Sequence, residues 1–342
     1  MKRVLVYCPD QDPTSFYRGA RPWQLISKAL GDDYRITFIS STSGRPLSAA
    51  WDQAGFFDLV FLQRPYHPEL LSATINFKRM GAKIWVDEDD LQTDVPWSFN
   101  SAYTYNTEQI QNTIRGILGL ADVVTVSVDF LGEKLKEFAH CPVYTVPNAF
   151  DLETFPKPIL PPKEKVILWR GSAACHQADL ISVRHEIYQV LKENPDWKMY
   201  FLGLYPWWYD ELKDEFPDGM PKNAFFVRHT PTMFDYMEAI KHLNPAIWIV
   251  PLVDNNFTRS KSNLAWLEAS WVGASVMAEH MDEFIKPGII PRGKDWKTGL
   301  TDMIEFVENE NSSLLSWNYI EENLLLSKVN EKRIEILKGL IG

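Results

Sequence analysis

The chain has 342 residues, of which 45% are apolar and 13 are tryptophan, and its formal net charge is −10. That length exceeds what one hydrophobic core usually organises, so two domains are expected. The acidic balance argues against a general affinity for nucleic acid or anionic membrane, because both need basic surface, although a local basic cleft stays open.

In chain order, "RVLVYC" predicts a strand, and "RPWQLISKAL" a helix with Leu25, Ile26 and Leu30 at helical spacing. The apolar run at the start is too short for a secretory signal, and the longest apolar run, "AIWIVPLV", is far below a membrane span. Cys8, Cys141 and Cys175 are odd in number and lack metal-ligand spacing, so free thiols in a reducing cytoplasm are expected. Further strands follow at "YRITFIS", "DLVFLQ", "KIWVDED" and "DVVTVSV", then the helix "DFLGEKLKEFA" and the strand "PVYTVPN". Continuous Val, Ile and Phe runs separated by helices imply a parallel sheet covered on both faces. Pro156, Pro158, Pro161 and Pro162 then stiffen a connector. The division predicted there is a first domain at 1–155 and a second at 156–319, with the terminal helix, about 320–342, free to pack back on the first.

The second half repeats the pattern. "KVILWRGS" is a strand entering a turn, "DLISVRHEIYQVLKENP" a helix, "WKMYFLG" and "AFFVRH" strands, "TMFDYMEAIKHL" a helix and "AIWIVPL" a strand. Next comes "FTRSKSNLAWLEASWVGASVMAE", which predicts a helix followed by a strand. The tail from Leu314 to Ile341 is helical. The fold class is therefore α/β, with two Rossmann-like doubly wound domains facing a cleft.

Lys261 and Glu268 are seven residues apart, which on one helix gives a shared stripe about 10 Å long. Direct pairing prefers a spacing of three or four. Ser260 is the N-cap candidate, and first-turn amides at Lys261, Ser262 and Asn263, with Arg259 beside them, suit a phosphate. Glu268, deeper in, suits a ribose diol. A capped helix with solvated charges explains the same residues equally well.

The stretch "KSNLAWLEASWVGASVMAE", set in two Rossmann-like halves, resembles the GT-B glycosyltransferases of family four. Glu268 matches the second glutamate of the family's paired-glutamate motif, which holds the nucleotide ribose, and Lys261 stands at the place of the first. "FTRSKS" resembles a divergent branch of the family. So do "ILWRGSAACHQADL" with Gly171, Ser172, His176 and Asp179, "KIWVDEDDL", "SFYRGARPWQL" with Tyr17, Arg18 and Pro22, and "VYTVPNAFD" with Asn148.

The resemblance implies a transferase that moves a sugar from a UDP- or GDP-linked donor to a hydroxyl, with retention and without a metal. Asp89 and Asp90 are expected to orient or deprotonate the acceptor, and Lys261 and Arg170 to stabilise the leaving diphosphate. Arg18, Gly171, Ser172, His176, Arg228, Arg259, Ser260, Ser262, Asn263 and Glu268 are expected to bind the donor, and Tyr17, Asp87 and Asn148 to lie on the acceptor side. From residue type alone, Asp87 to Asp90 also fit a metal site or a plain polar strand end, Arg170 a structural ion pair, and His176 a helix cap. The first loop has no G-x-G-x-x-G, which counts against a dehydrogenase. "PWWY", with Trp207, Trp208 and Tyr209, fits either a stacking platform or core packing. The acceptor is a glycan or, second, a modified base in DNA. A non-catalytic sugar-nucleotide or glycan-binding module and a sugar-nucleotide epimerase are the readings of other classes.

Overall fold

A computed structural model describes residues 1–9, 13–40, 57–228, 230 and 232–342. It contains two six-stranded, all-parallel sheets. The first uses β1 (Lys2–Cys8), β2 (Tyr34–Ser40), β3 (Leu59–Gln63), β4 (Lys83–Glu88), β5 (Val123–Val126) and β6 (Val143–Thr145), in the order 2-1-3-4-5-6. The second uses β7 (Glu164–Arg170), β8 (Lys198–Leu202), β9 (Ala224–Val227), β10 (Pro245–Val250), β11 (Ser275–Ala278) and β12 (Ile289–Pro291), in the order 12-11-10-7-8-9. Strand order reverses at β1/β3 and at β7/β10. Ligands of open parallel sheets bind beyond the carboxyl ends of strands at such points.

The strands are apolar throughout because each has two covered faces. In β1, Leu5 and Tyr7 enter one core while Val4 and Val6 enter another on the opposite face. The first sheet is flanked by α1 (Arg21–Leu30), α2 (Pro68–Arg79), α3 (Glu108–Leu120) and α4 (Asp129–Leu135). The second carries α5 (Ala173–Ile181), α6 (Arg184–Glu193), α7 (Met233–Leu243), α8 (Leu264–Val272), α9 (Trp296–Asn309) and α10 (Ser313–Asn323). The chain then returns to the first domain. Phe150 pairs with Leu325, and α11 (Leu326–Ile341) packs Leu326, Ile336 and Leu337 against Trp23 and Ile26 of α1.

Three predicted helices are interrupted. The one from Asp179 ends at Ile181, where the Ser182 hydroxyl turns back to the Asp179 carbonyl at 2.6 Å, a local bond that competes with helix continuation. The tail breaks at Leu324 and Leu325, where the chain pairs with Phe150. The third is "FTRSKSNLAWLE". A single turn at Asn256–Arg259 is capped by Asn255 in a reciprocal capping box with Thr258. Residues 260–263 are irregular, and α8 begins only at Leu264, ending at Gly273 with φ +74°. Lys261 is therefore not helical, and the shared-stripe argument does not apply to it.

Candidate active site

A cavity of about 300 Å³ lies between the carboxyl edges of the two sheets. Its first-domain wall is Pro13, Thr14, Arg64, Asp89 and Asp90; its second-domain wall includes Arg170, Gly171, Ser172, His176, Tyr236, Lys261, Ser262 and Glu268. The structure thus gathers nine of the predicted site residues on one surface.

Asp89 and Asp90 follow β4, and Arg64 follows the adjacent β3. The Arg64 guanidinium forks onto Asp89 at 2.9 and 2.8 Å and reaches Asp90 at 3.0 Å. Its backbone is left-handed, φ 47°, a conformation rare for a residue with a Cβ and concentrated at functional sites. Lys261 crosses from the second domain to Asp90 at 2.6 Å, with its ammonium 4.2 Å from the Phe257 ring centre. Burial opposes the charges of this pair, but the mutual attraction wins. It holds the Asp90 carboxyl below its ordinary range and lifts the Lys261 ammonium above its own. Asp89 goes the other way: burial and the neighbouring Asp90 raise it against the pull of Arg64. Asp89 is therefore the more basic carboxylate, and Asp90 the better counter-ion.

Glu268, on α8, is buried and takes three contacts on one oxygen. Arg170 approaches Oε2 at 3.1 and 3.0 Å, and the Tyr236 hydroxyl donates to it at 2.6 Å. Oε1 takes no part in these bonds; Tyr17 also lies against the carboxylate, and Glu268 lines the cavity. His176 is oriented by Asp179: Nδ1 lies 3.1 Å from Oδ2, while Oδ1 accepts the Val253 amide at 2.9 Å. An ionised carboxylate only accepts, so Nδ1 carries the proton and Nε2 is left with its lone pair. Burial lowers the His176 pKa despite Asp179, with Lys261 adding to the effect, and this favours the neutral ring. Gly171 is required by space: a Cβ there would sit 2.7 Å from the Trp169 ring and 2.9 Å from the His176 Cβ. Gly203 (φ +100°) lets the neighbouring backbone approach, since its Cβ would lie 2.6 Å from the Gly171 carbonyl oxygen.

Other expectations need correction. Arg18 does not reach the cavity. It is fully buried, doubly bonded to Asp87 at 2.9 and 2.7 Å, and it also donates to the Val146 carbonyl and to Asn148. Asp87 is equally enclosed and accepts from Thr125, so it is not on an acceptor surface. Asn148 bridges the domains, its amide donating to the Ser262 hydroxyl at 2.8 Å. Tyr17 enters the core of the second domain, where burial and the charge of Glu268 raise its pKa. Ser260 is buried on the Asn256 carbonyl, Asn263 bonds Glu283, and exposed Arg259 pairs with Asp254. The amides placed at a helix start are not those of Lys261 to Asn263, because α8 starts at Leu264. Arg228 is exposed at the end of the edge strand β9, and His229 lies outside the described residues. Trp208 and Tyr209 belong to the core and Trp207 packs against it.

Sequence reasoning did not find Arg64 or Tyr236. "QRPYHP" carries no motif, and a residue before proline is expected to be extended. The helical placement of Tyr236 at the start of α7, facing the strand end, was the only available signal for it. Among the described residues, no group of three or more His, Cys, Asp or Glu side chains is arranged to hold a metal ion. Nor is any helix there long and apolar enough to cross a membrane.

No protein-family model matches the chain, and no curated protein sequence does. Solved structures do. The chain is similar to the pneumococcal O-GlcNAc transferase GtfA, solved with UDP and GlcNAc, at 14% identity and a TM-score of 0.58, over 86% of this chain and 60% of that one. It is similar to TarM of S. aureus, solved with fondaparinux, alpha-GlcNAc-glycerol and UDP, at 13% identity and a TM-score of 0.58, over 81% of this chain and 54% of that one. It is also similar to a putative UDP-N-acetylglucosamine 2-epimerase from Listeria monocytogenes, at 10% identity and a TM-score of 0.59, over 99% and 96% of the two chains. The chain thus spans little more than half the length of the two transferases. The fold is GT-B: two Rossmann-like domains facing a cleft.

Proposed function

We propose that the chain is a glycosyltransferase that moves a sugar from a nucleoside-diphosphate sugar, UDP- or GDP-linked, to a hydroxyl acceptor. The observation that carries this reading is the interdomain cavity, where Lys261, Arg170 and neutral His176 converge with Glu268. Glu268 holds the ribose diol at Oε1 while Arg170 and Tyr236 fix Oε2. Ser172 and Ser262, on the same wall, hydrogen-bond the donor, and Gly171 gives it room. The diphosphate takes Lys261 from Asp90 and is neutralised by Lys261 and Arg170, so no metal is needed. The donor's C1–O bond breaks with its electron pair passing to the diphosphate. The acceptor oxygen bonds C1, and the acceptor proton passes to Asp89, the more basic carboxylate. Retention of configuration is implied by the family resemblance.

The acceptor in this reading is a glycan, with a hydroxymethylated base in DNA second; the net charge of −10 weighs against the latter. A sugar-nucleotide 2-epimerase is a second reading, favoured by the match over nearly the whole of both chains. A non-catalytic sugar-nucleotide module is the third. Nucleotide sugars are screened by thermal shift, and the stabilising donor is then incubated with the protein. Release of UDP or GDP with glycosylated acceptor supports the transferase. Inversion at C2 with the diphosphate retained makes it an epimerase, and binding without turnover makes it a module. Activity lost to a chelator and restored by manganese overturns the metal-free account.

A further inference from the structure

The segment that follows Asp89 and Asp90 runs on from the cavity wall. Leu91, Val95, Phe99 and Ala102 bury themselves in the first domain's core. Asn106 and Gln111 tie the segment down through the carbonyls of Val95, Gln92 and Tyr105. It also touches the second domain. Asn256 donates to Asp94 at 2.9 Å, Phe99 meets the Phe257 ring at 5.2 Å, and Asn100 donates to Gln177 at 2.9 Å, one residue from the cavity-lining His176.

On this well-anchored segment two aromatics, Trp97 and Tyr103, are exposed. Trp97 is 65% exposed and Tyr103 72% exposed, and their rings meet edge to face at 5.7 Å. Six other tryptophans are essentially fully buried, and among the described residues Trp97 is the one tryptophan that is exposed. Hydration of such a pair is costly, and flat ring faces complement the C–H faces of pyranose rings. Charge selects between ligand classes. From 84 to 114 the chain has no Lys or Arg, but it has Asp87, Glu88, Asp89, Asp90, Asp94 and Glu108. A nucleic acid or other polyanion needs cations along its track, whereas a neutral glycan does not.

We propose that Trp97 and Tyr103 form an acceptor subsite for an uncharged glycan, leading its terminal hydroxyl toward Asp89 and Asp90. The proposal rests on the transferase reading and gives it an acceptor class. The test uses the full chain in affinity electrophoresis through gels containing dextran, mannan or galactan, with a single-stranded DNA oligonucleotide as a separate arm read by anisotropy. At least one neutral polysaccharide should retard the wild type. Trp97→Ala and Tyr103→Ala should each weaken that binding about tenfold, and Trp97→Phe should keep most of it. Thermal melts and UDP binding show whether the variants are folded. Retardation by none of the three glycans, retardation indifferent to both alanine variants, or DNA binding that depends on Trp97 overturns the subsite. So does a change from dimer to monomer in Trp97→Ala, because the pair would then be a contact between copies. Donor turnover is scored separately. Trp97-dependent glycan binding without turnover keeps the subsite and removes the transferase, while turnover with indifferent glycan binding does the reverse.

Discussion

Two ion-pair systems stand at the carboxyl edge of the first sheet, and they differ in what surrounds them. Arg18–Asp87 is sealed: both side chains are within 1% of complete burial, and Val146, Asn148 and Thr125 take up the remaining bonds. Asp89 and Asp90, immediately beyond on the same chain, face the cavity, and their cations Arg64 and Lys261 come from different domains. An enclosed, fully bonded pair holds structure. A pair on a cavity wall with one partner from across the cleft can exchange that partner for a ligand. Charge at a strand end does not distinguish the two cases; the company each charge keeps does.

Breaking the sealed pair should have the largest effect. Asp87→Asn leaves Arg18 buried and uncompensated, at a cost of about 3–5 kcal/mol, read as a large fall in the denaturation midpoint. Asp90→Asn should cost far less, since Arg64 keeps Asp89. Equal losses in the two variants would erase the distinction.

Next in size is Glu268→Ala. Loss of charge-assisted bonds to a ribose, each worth about 1.5–3 kcal/mol, should weaken UDP binding by about one to two decades. Unchanged affinity in a folded variant would leave Glu268 with only a structural role toward Arg170 and Tyr236.

A smaller effect concerns Glu88, which is buried on the opposite face of β4 from Asp87 with neither oxygen hydrogen-bonded. Burial pushes its pKa well up, with the neighbouring aspartates adding to the effect against Arg64. A raised folded-state pKa means that the neutral acid's contribution is full below the unfolded value of about 4.3. It is lost as pH rises toward the folded value. Glu88→Gln should therefore stabilise the protein at pH 7–8 relative to pH 5, measured as the difference in melting temperature. A variant whose loss of stability grows as pH rises would show instead that Glu88 is ionised and paired.

Much of this molecule was legible in its sequence, and the failures are physical. Eleven strands could be read because parallel strands buried on both faces are uninterrupted apolar runs; β12, three residues long, is too short to signal itself. The helices α2, α3 and α9 went unread; in the first two the buried positions are diluted by Thr74 and Thr113, whose hydroxyls bond back to the helix. The break before α8 was hidden by a capping box that lies within an apparently continuous helix. Residues fixed by strand ends, such as Arg170, Gly171 and Asp90, fell where the pattern placed them. Arg18 did not, because whether a loop arginine turns into the sheet or out to the cleft depends on Asp87 and Asn148, distant in sequence. Arg64 depends on a backbone conformation that its residue type does not announce.

In the proposed exchange, Asp90 holds Lys261 until a diphosphate takes it. Calorimetric titration of UDP into the wild type, Asp90→Asn and Lys261→Ala tests this most directly. Removing the competing carboxylate should free the ammonium, so Asp90→Asn should bind UDP about fivefold tighter, matching an interaction of about 1 kcal/mol. Lys261→Ala should bind it about tenfold more weakly. Asp90→Asn binding UDP no better than the wild type, with Lys261→Ala unchanged, would contradict the exchange and leave the Lys261–Asp90 pair as a fixed strut between the domains.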